Sequence, residues 1–348
     1  MSASVTRLPE QRQPRLGFLG AGWIGRMRMR SLAASETAAI VAIADPAEPA
    51  LDQAAQIAPG AALVVTLEQL LRHGLDGVVI ATPSALHAAQ AILALKAGVA
   101  VFCQKPVGCN SKEATEVIEA ARLADRLLAT DFAYRFTRAM QLVRNTVRQG
   151  ALGRVYAVDL CFHNSYGPDR AWYYDPATSG GGCVIDLATH LVDLALWTLD
   201  FPPVHQVSSR LFCQGHRLRS AEADEVEDFA FADFELKDGT AVHLACSWGQ
   251  PMGQDAVIHA IYHGEHAAVE FRNVNGSFFD FAAEHYVQRE RHILYSEPDD
   301  WSGRALLDWT QRLATSNRFH PSAVEILKVA KVIEAIYKSD SCSQMGNQ

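Results

Sequence analysis

The sequence predicts two domains in tandem: an α/β domain with a doubly wound parallel sheet, then a C-terminal α+β domain with a large, mostly antiparallel open-faced sheet. Three observations carry this reading. The first 130 residues alternate short apolar runs with helical stretches, as expected for parallel strands covered on both faces. A glycine-rich turn joins the first apolar run to the first helix. Beyond about residue 150 the pattern changes to successive strands with little helix between them.

Each element has a local reason. Leu16–Gly20 is apolar throughout and reads as a strand, followed by a helix over Ile24–Ala34. Ile40–Ala44, Val78–Ala81 and Ala100–Cys103 repeat the strand pattern, with helices over Ala47–Ile57, Ala85–Ala97 and Ser111–Asp125. Ala62–Val65 is a candidate short third strand and Leu127–Phe132 a candidate last one. In the second half, Arg154–Asn164 is a strand, an irregular stretch runs to Gly182, and a helix spans about Val184 to Leu199. From Val204 to Phe281 strands dominate. Val226–Leu236, Thr240–Trp248 and Val257–Tyr262 are the clearest, and Asp238-Gly239 marks a hairpin turn between the first two. Helices near Arg304–Ala314 and Ser322–Lys338 close the chain. The predicted division is a flexible tail over 1–14, a nucleotide-binding domain over 15–134 and a second domain over 135–348, whose last helix could pack back on the first.

Composition narrows the function classes. The chain has 348 residues, 49% hydrophobic and 20% charged, which is ordinary for globular domains with substantial cores. Its formal net charge of -8 and the lack of any Lys/Arg run argue against nucleic acid as the main partner. The 7 cysteines are dispersed, with no CxxC pair and no zinc-site spacing, so no metal site is expected and a reducing compartment fits. The first fourteen residues lack the apolar segment of a signal peptide, and no apolar run is long enough to span a membrane. A cytoplasmic protein is the expectation.

The glycine turn is Gly20-Ala21-Gly22-Trp23-Ile24-Gly25, a GxGxxG pattern after a strand and opening a helix. The first glycine permits a tight turn, the second lets backbone approach a pyrophosphate, and the third lets helix and strand pack closely. The helix N-terminus offers free N–H groups and partial positive charge to the anion. Asp45 ends the next strand, twenty residues after Gly25, where a carboxylate meets the adenine-side ribose hydroxyls. A carboxylate there repels a 2′-phosphate, so NAD is favoured over NADP. Arg26 and Arg28 could serve such a phosphate or form a solvated helix face, which leaves NADP open.

Four further segments extend the pattern: Thr82-Pro83 with His87; Gln104-Lys105-Pro106; Tyr134-Arg135-Phe136; and Gly180-Gly181-Gly182-Cys183-Val184-Ile185-Asp186-Leu187-Ala188-Thr189-His190. In this order, over nearly the whole chain, the sequence resembles the glucose–fructose oxidoreductase / inositol dehydrogenase / rhizopine-catabolism (Gfo/Idh/MocA) family. The resemblance implies a Rossmann domain plus an open-faced sheet domain, with the nicotinamide in the cleft between them and hydride transfer at a ring carbinol of a sugar or cyclitol. It implies a cofactor site bordered by Gly20, Gly22, Trp23, Ile24, Gly25, Asp45, Thr82, Pro83, His87, Gln104 and Lys105. The family's lysine matches Lys105, and its aspartate and histidine match Asp186 and His190. Gln104 departs from the usual Glu-Lys-Pro and removes a negative charge beside Lys105.

The residue types suit that chemistry. Oxidising a secondary alcohol needs a proton acceptor as the hydride leaves. His190 titrates near neutrality and is a candidate base. Asp186, four residues earlier on a helix, shares its face and could orient the imidazole or bind a hydroxyl. Lys105 could stabilise a developing alkoxide. Asp193, on the same helix face, is read as structural. Arg135 could bind substrate or tie the domains together. Tyr166, Trp172 and Tyr173, in the irregular stretch, could offer aromatic faces to a sugar ring or serve packing. The competing readings are an NADPH-dependent reductase of a keto-sugar or other carbonyl, and a non-catalytic nucleotide-binding sensor of the same fold. A homodimer or homotetramer is expected, because the strand containing Phe229, Phe231 and Phe234 is apolar on both alternating sets and a sheet apolar on both faces needs cover on both.

Overall fold

Six short strands form the first sheet: β1 (Arg15–Leu19), β2 (Ala39–Ala44), β3 (Ala62–Val64), β4 (Gly77–Ile80), β5 (Ala100–Cys103) and β6 (Leu128–Thr130). The computed structural model describes residues 13–218 and 225–342; residues 1–12 of the expected tail lie outside that range. The strand order is β3-β2-β1-β4-β5-β6, every pair parallel. β4 and β5 are buried at every position, which is why their sequences are unbroken apolar runs. The order reverses between β1 and β4, and a crevice at such a switch point binds ligand beyond the carboxyl ends of the strands. Backbone bonds level those ends: Gly20 N–H reaches Ala44 O at 2.8 Å, Ala81 N–H Leu19 O at 2.7 Å, Gln104 N–H Ile80 O at 2.9 Å and Asp131 N–H Cys103 O at 2.9 Å. Gly20, Ala81, Gln104 and Asp131 therefore stand in one row along the edge.

Nine strands form the second sheet: β7 (Val155–Asn164), β8 (Val204–Cys213), β9 (His216–Arg217), β10 (Phe229–Leu236), β11 (Ala241–Ser247), β12 (Ala256–Gly264), β13 (Ala268–Asn273), β14 (Phe281–Val287) and β15 (Glu290–Tyr295). Their order is β15-β14-β13-β12-β7-β11-β10-β8-β9, antiparallel except for the parallel pair β7–β11. The β10–β11 loop holds Lys237, Asp238 and Gly239, and Gly239 takes φ 85° as the left-handed residue that a three-residue hairpin needs. The sequence reading ended the strands at Phe281, but β14 and β15 continue the sheet. Their polar residues hid them: Glu284 accepts from Arg272 and Arg291 across the open face.

Helices cover one face of this sheet: Arg138–Arg148 against β13, β14 and β15, Thr189–Thr198 against β7 and β12, and Val324–Cys342 against β8. Among the described residues no helix covers the other face. Along β10, Ala230, Ala232, Phe234 and Leu236 are buried while Phe231, Asp233 and Glu235 are exposed. The uncovered set thus mixes acidic groups with its aromatics and is less apolar than expected. The helix Arg304–Thr315 packs on the first sheet, with Trp309 5.7 Å from the Phe102 ring among Met29, Leu32 and Leu306. The last helix touches Ser111–Ala124 on one side and Thr189–Thr198 with β8 on the other, so it spans both halves.

Candidate active site

The glycine turn is built as its residue types require. A Cβ at Gly20 (φ 97°) would meet Ala81 O at 2.4 Å, and one at Gly25 would meet Gly20 O at 2.2 Å. A Cβ at Gly22 would meet nothing within 4 Å, so its backbone faces open space where a pyrophosphate fits. The helix Trp23–Ser35 that follows has no side-chain cap and no acid in its first turn, so its N–H groups stay available to an anion. Trp23 is 56% exposed beside it. Asp45 accepts from Ala21 N–H at 2.7 Å and Ala47 N–H at 2.8 Å, which places its carboxylate against the turn. These features fit a dinucleotide.

The two arginines after the turn differ: Arg28 is buried and engaged through two of its nitrogens, while Arg26 commits one of its N–H donors to the turn. Arg26 Nη1 donates to Ala21 O. Arg28 is buried, donating to Asp131 Oδ2 at 2.6 Å and to Ser302 O. The loop after β4 brings Thr82 and Pro83 to the same edge, where the Thr82 hydroxyl donates to Gln90 at 2.6 Å. His87 opens the helix that follows this loop. It is 1% exposed, with Nδ1 2.6 Å from Pro106 O and Nε2 2.8 Å from Thr82 O. Both ring nitrogens face backbone carbonyls, and a neutral imidazole donates to one of them, so His87 sits packed between the Thr82 and Lys105 loops. Burial pushes it below the ordinary histidine value, against the pull of those two carbonyls.

Lys105 leaves the end of β5 and meets the second half of the chain. Its Nζ lies 2.6 Å from Asp186 Oδ1 and 2.7 Å from Asp186 O, with the two side chains 17% and 18% exposed. Trp248 Nε1, just beyond β11, donates to Asp186 Oδ2 at 3.2 Å. Asp186 sits in a wide turn, Val184–Ala188, in which Thr189 N–H reaches back five residues to Val184 O; the regular helix begins only at Thr189. Such wide turns are frequent at functional sites. Among the described residues no hydrogen bond joins Asp186 to His190, so the carboxylate holds Lys105 and does not orient the imidazole.

His190 lies edge-on to Tyr134, centroids 4.8 Å apart, and no described residue bonds its ring nitrogens. Burial pushes it well below the ordinary histidine value, and the charges of Lys105 and then Arg28 push the same way. The neutral imidazole is therefore the resident form at pH 7. Burial and the Asp186 charge raise the Tyr134 hydroxyl and also that of Tyr173. Tyr173 stacks on Trp172 at 3.8 Å and meets Trp248 edge-on at 6.2 Å, so Trp172, Tyr173 and Trp248 form an aromatic wall near Asp186. Tyr166 is 53% exposed and packs on Phe278 instead.

The turn before Asp186 is held from beneath. Gly180 and Gly181 adopt φ 82° and 152°, and a Cβ at Gly182 would meet Glu227 O at 1.9 Å. The buried Glu227 carboxylate accepts from Gly182 N–H and Val184 N–H at 2.9 Å and from Tyr337 Oη at 2.8 Å. Arg135 is engaged elsewhere: it donates to Asp193 and to Glu325 and stacks on Phe132 at 4.8 Å. It ties the join between the sheets to two helices, the second of the two roles the sequence left open to it. Among the described residues no cluster of His, Cys, Asp and Glu could hold a metal ion, and no helix is long and apolar enough to cross a membrane. Sequence reading alone missed Trp248, Asp131 and Glu227. Each acts through a contact far along the chain.

Residues 15–132 match an oxidoreductase family with an NAD-binding Rossmann fold, and residues 140–270 match the GFO/IDH/MocA C-terminal domain. The chain is similar to D-glucoside 3-dehydrogenase of Escherichia coli (strain K12), 26% identical over 63% of this chain and 66% of that protein. It is similar to the rhizopine catabolism protein MocA of Rhizobium meliloti, 32% identical over 55% of this chain and 59% of that protein. The matched stretches thus span just under two thirds of the first relative and less of the second. Its fold is similar to that of GenD2 from gentamicin A biosynthesis, solved in complex with NAD: TM-score 0.80, 22% identity, 98% of each chain covered.

Proposed function

The chain belongs to the GFO/IDH/MocA oxidoreductase family, and on that footing we propose that it is an NAD-dependent dehydrogenase acting on a ring carbinol of a sugar, cyclitol or related polyol. One observation carries the reading: Lys105, from the edge of the nucleotide-binding sheet, meets Asp186 of the second half at 2.6 Å, beside a histidine whose ring nitrogens no described residue engages. A bound nicotinamide supplies the hydride acceptor, or the donor in the reverse direction. The neutral His190 imidazole takes the hydroxyl proton. The Lys105 ammonium, fixed by Asp186, stabilises the negative charge developing on the carbinol oxygen. Trp248, itself buried, holds the second Asp186 oxygen and backs Tyr173 and Trp172, which offer an aromatic wall to the apolar face of a ring. Gly20, Gly22, Trp23, Ile24 and Gly25 seat the pyrophosphate. Thr82, Pro83 and Gln104 border the nicotinamide side.

Asp45 gives the cofactor choice. In exchange for its bonds to Ala21 and Ala47 it can accept from two ribose hydroxyls, and its charge opposes a 2′-phosphate. A panel of sugars and cyclitols, assayed by nicotinamide absorbance with each cofactor, tests the function. Turnover with NAD on at least one ring polyol is expected, with NADP poorer and the gap narrowed in Asp45→Ser. Tighter binding of NADP would sink the cofactor reading. Tight NAD binding without turnover on any polyol or keto-sugar would point to a sensor instead.

A further inference from the structure

Gln104 and Lys105 leave β5 side by side on different tasks. Gln104 Nε2 donates to Asp131 Oδ2 at 2.5 Å, the same oxygen that accepts from Arg28 Nε at 2.6 Å. A carboxylate facing a guanidinium only accepts, so the amide nitrogen is the end turned toward it. The amide oxygen is the end left over. Among the described residues no group donates to it, and it is not one of the buried polar atoms without a partner, so it meets solvent. Asp131 is 1% exposed and its Oδ1 is buried without a partner, so its hold on both neighbours passes through one oxygen.

We propose that Asp131 is a positioning residue: it fixes the Gln104 amide with its oxygen facing the cleft, as an uncharged acceptor beside Lys105 for a hydroxyl of the bound nucleotide. The proposal rests on the cofactor reading above. It also explains why residue 104 is an amide. The surrounding charges already balance in pairs, Arg28 with Asp131 and Lys105 with Asp186, near the rings of His190 and His87 and the Cys103 thiol. A glutamate at 104 would press a second carboxylate onto Asp131 at hydrogen-bond distance, and the two would have to share a proton.

Gln104→Glu, Asp131→Asn and the double variant, titrated with NADH by protein fluorescence and melted across about pH 5 to 8, test the pair. The glutamate's pKa in the folded state would lie above its unfolded value, so stability is present at low pH and lost as pH rises. Gln104→Glu should therefore melt lower at the alkaline end and bind NADH about tenfold more weakly there, the effect of one pKa unit. The double variant leaves one carboxylate in the pair: a rotation of the asparagine introduced at position 131 would keep its oxygen on Arg28 and bring its nitrogen, in place of the unpartnered Oδ1, toward residue 104. It should return binding to within about threefold of wild type and lose the pH trend. Gln104→Met keeps the Arg28–Asp131 pair, folds even where Asp131→Asn does not, and should weaken NADH at every pH. Gln104→Glu melting and binding like wild type throughout, a double variant no better than the worse single, or wild-type affinity in Gln104→Met would overturn the proposal. If the wild type binds no NADH, the cofactor reading fails, and the melting curves still judge the pair.

Discussion

Lys105 is held at two points by Asp186, so its charge is fixed before any substrate arrives. Removing it should cost what losing one oriented electrostatic group costs, about 10²-fold or more in kcat for Lys105→Met. NADH affinity should change little, because the glycine turn and Asp45 lie elsewhere on the edge. Near-wild-type turnover in Lys105→Met would refute the role. His190 makes a pH prediction that the sequence alone placed differently. An ordinary histidine would titrate near neutrality, but burial and two cations hold this one well below that. The wild-type rate should therefore stay flat through pH 7 and fall only on the acid side of about pH 6.5, as the imidazole gains its proton. His190→Asn should lower kcat by about 10²–10⁴-fold and remove that acid limb. An acid limb that survives the substitution assigns the proton to another group. Folding keeps His190 neutral, so the unfolded chain binds more protons below the ordinary histidine value. This group's contribution to stability is present above about pH 6.5 and is lost as pH falls.

At the scale of elements, the wide turn and its glycines set where Asp186 points, and a buried acid holds the turn. The Arg135 cluster sets where the following helix lies. Arg135→Met leaves Asp193, 2% exposed, with no partner for its carboxylate, and should cost about 3–5 kcal/mol. A drop of several degrees in Tm with unchanged NADH affinity is the expected pattern; unchanged Tm with weaker substrate binding would return Arg135 to the substrate site. This division explains what the sequence could and could not disclose. The glycine turn and Asp45 stand in a local strand–turn–helix pattern, and Lys105, Asp186 and His190 were legible through the family resemblance of the short segments that hold them. Glu227 meets Gly182 across 45 positions, Trp248 meets Asp186 across 62, and Arg28 meets Asp131 across 103. No periodicity or spacing registers such contacts. The β14–β15 hairpin was hidden for another reason: on an open sheet face, arginine, glutamate and tyrosine replace the apolar alternation that marks a strand.

At the scale of the molecule, no helix among the described residues covers one face of the nine-stranded sheet, and Phe231 stands 39% exposed on it. Asp233, Glu235, His243 and Asp159 share that face, with His243 2.8 Å from Asp233. We propose that a second copy of the chain docks on this face through Phe231, with the acidic groups left at the rim of the contact. Light scattering at micromolar concentration should report a dimer or tetramer, and Phe231→Glu should shift it toward monomer. A wild-type monomer would refute this. The Asp45 carboxylate, resting on the Ala21 N–H, has a wider consequence. One N–H of the turn, that of Ala21, already rests on a negative charge of the chain's own, while the N–H groups that follow stay open to the pyrophosphate. An incoming dinucleotide exchanges partners and leaves the backbone in place. The cofactor step should then resemble a swap more than a rearrangement, with little change in the exchange protection of residues 20–26 between free and loaded protein.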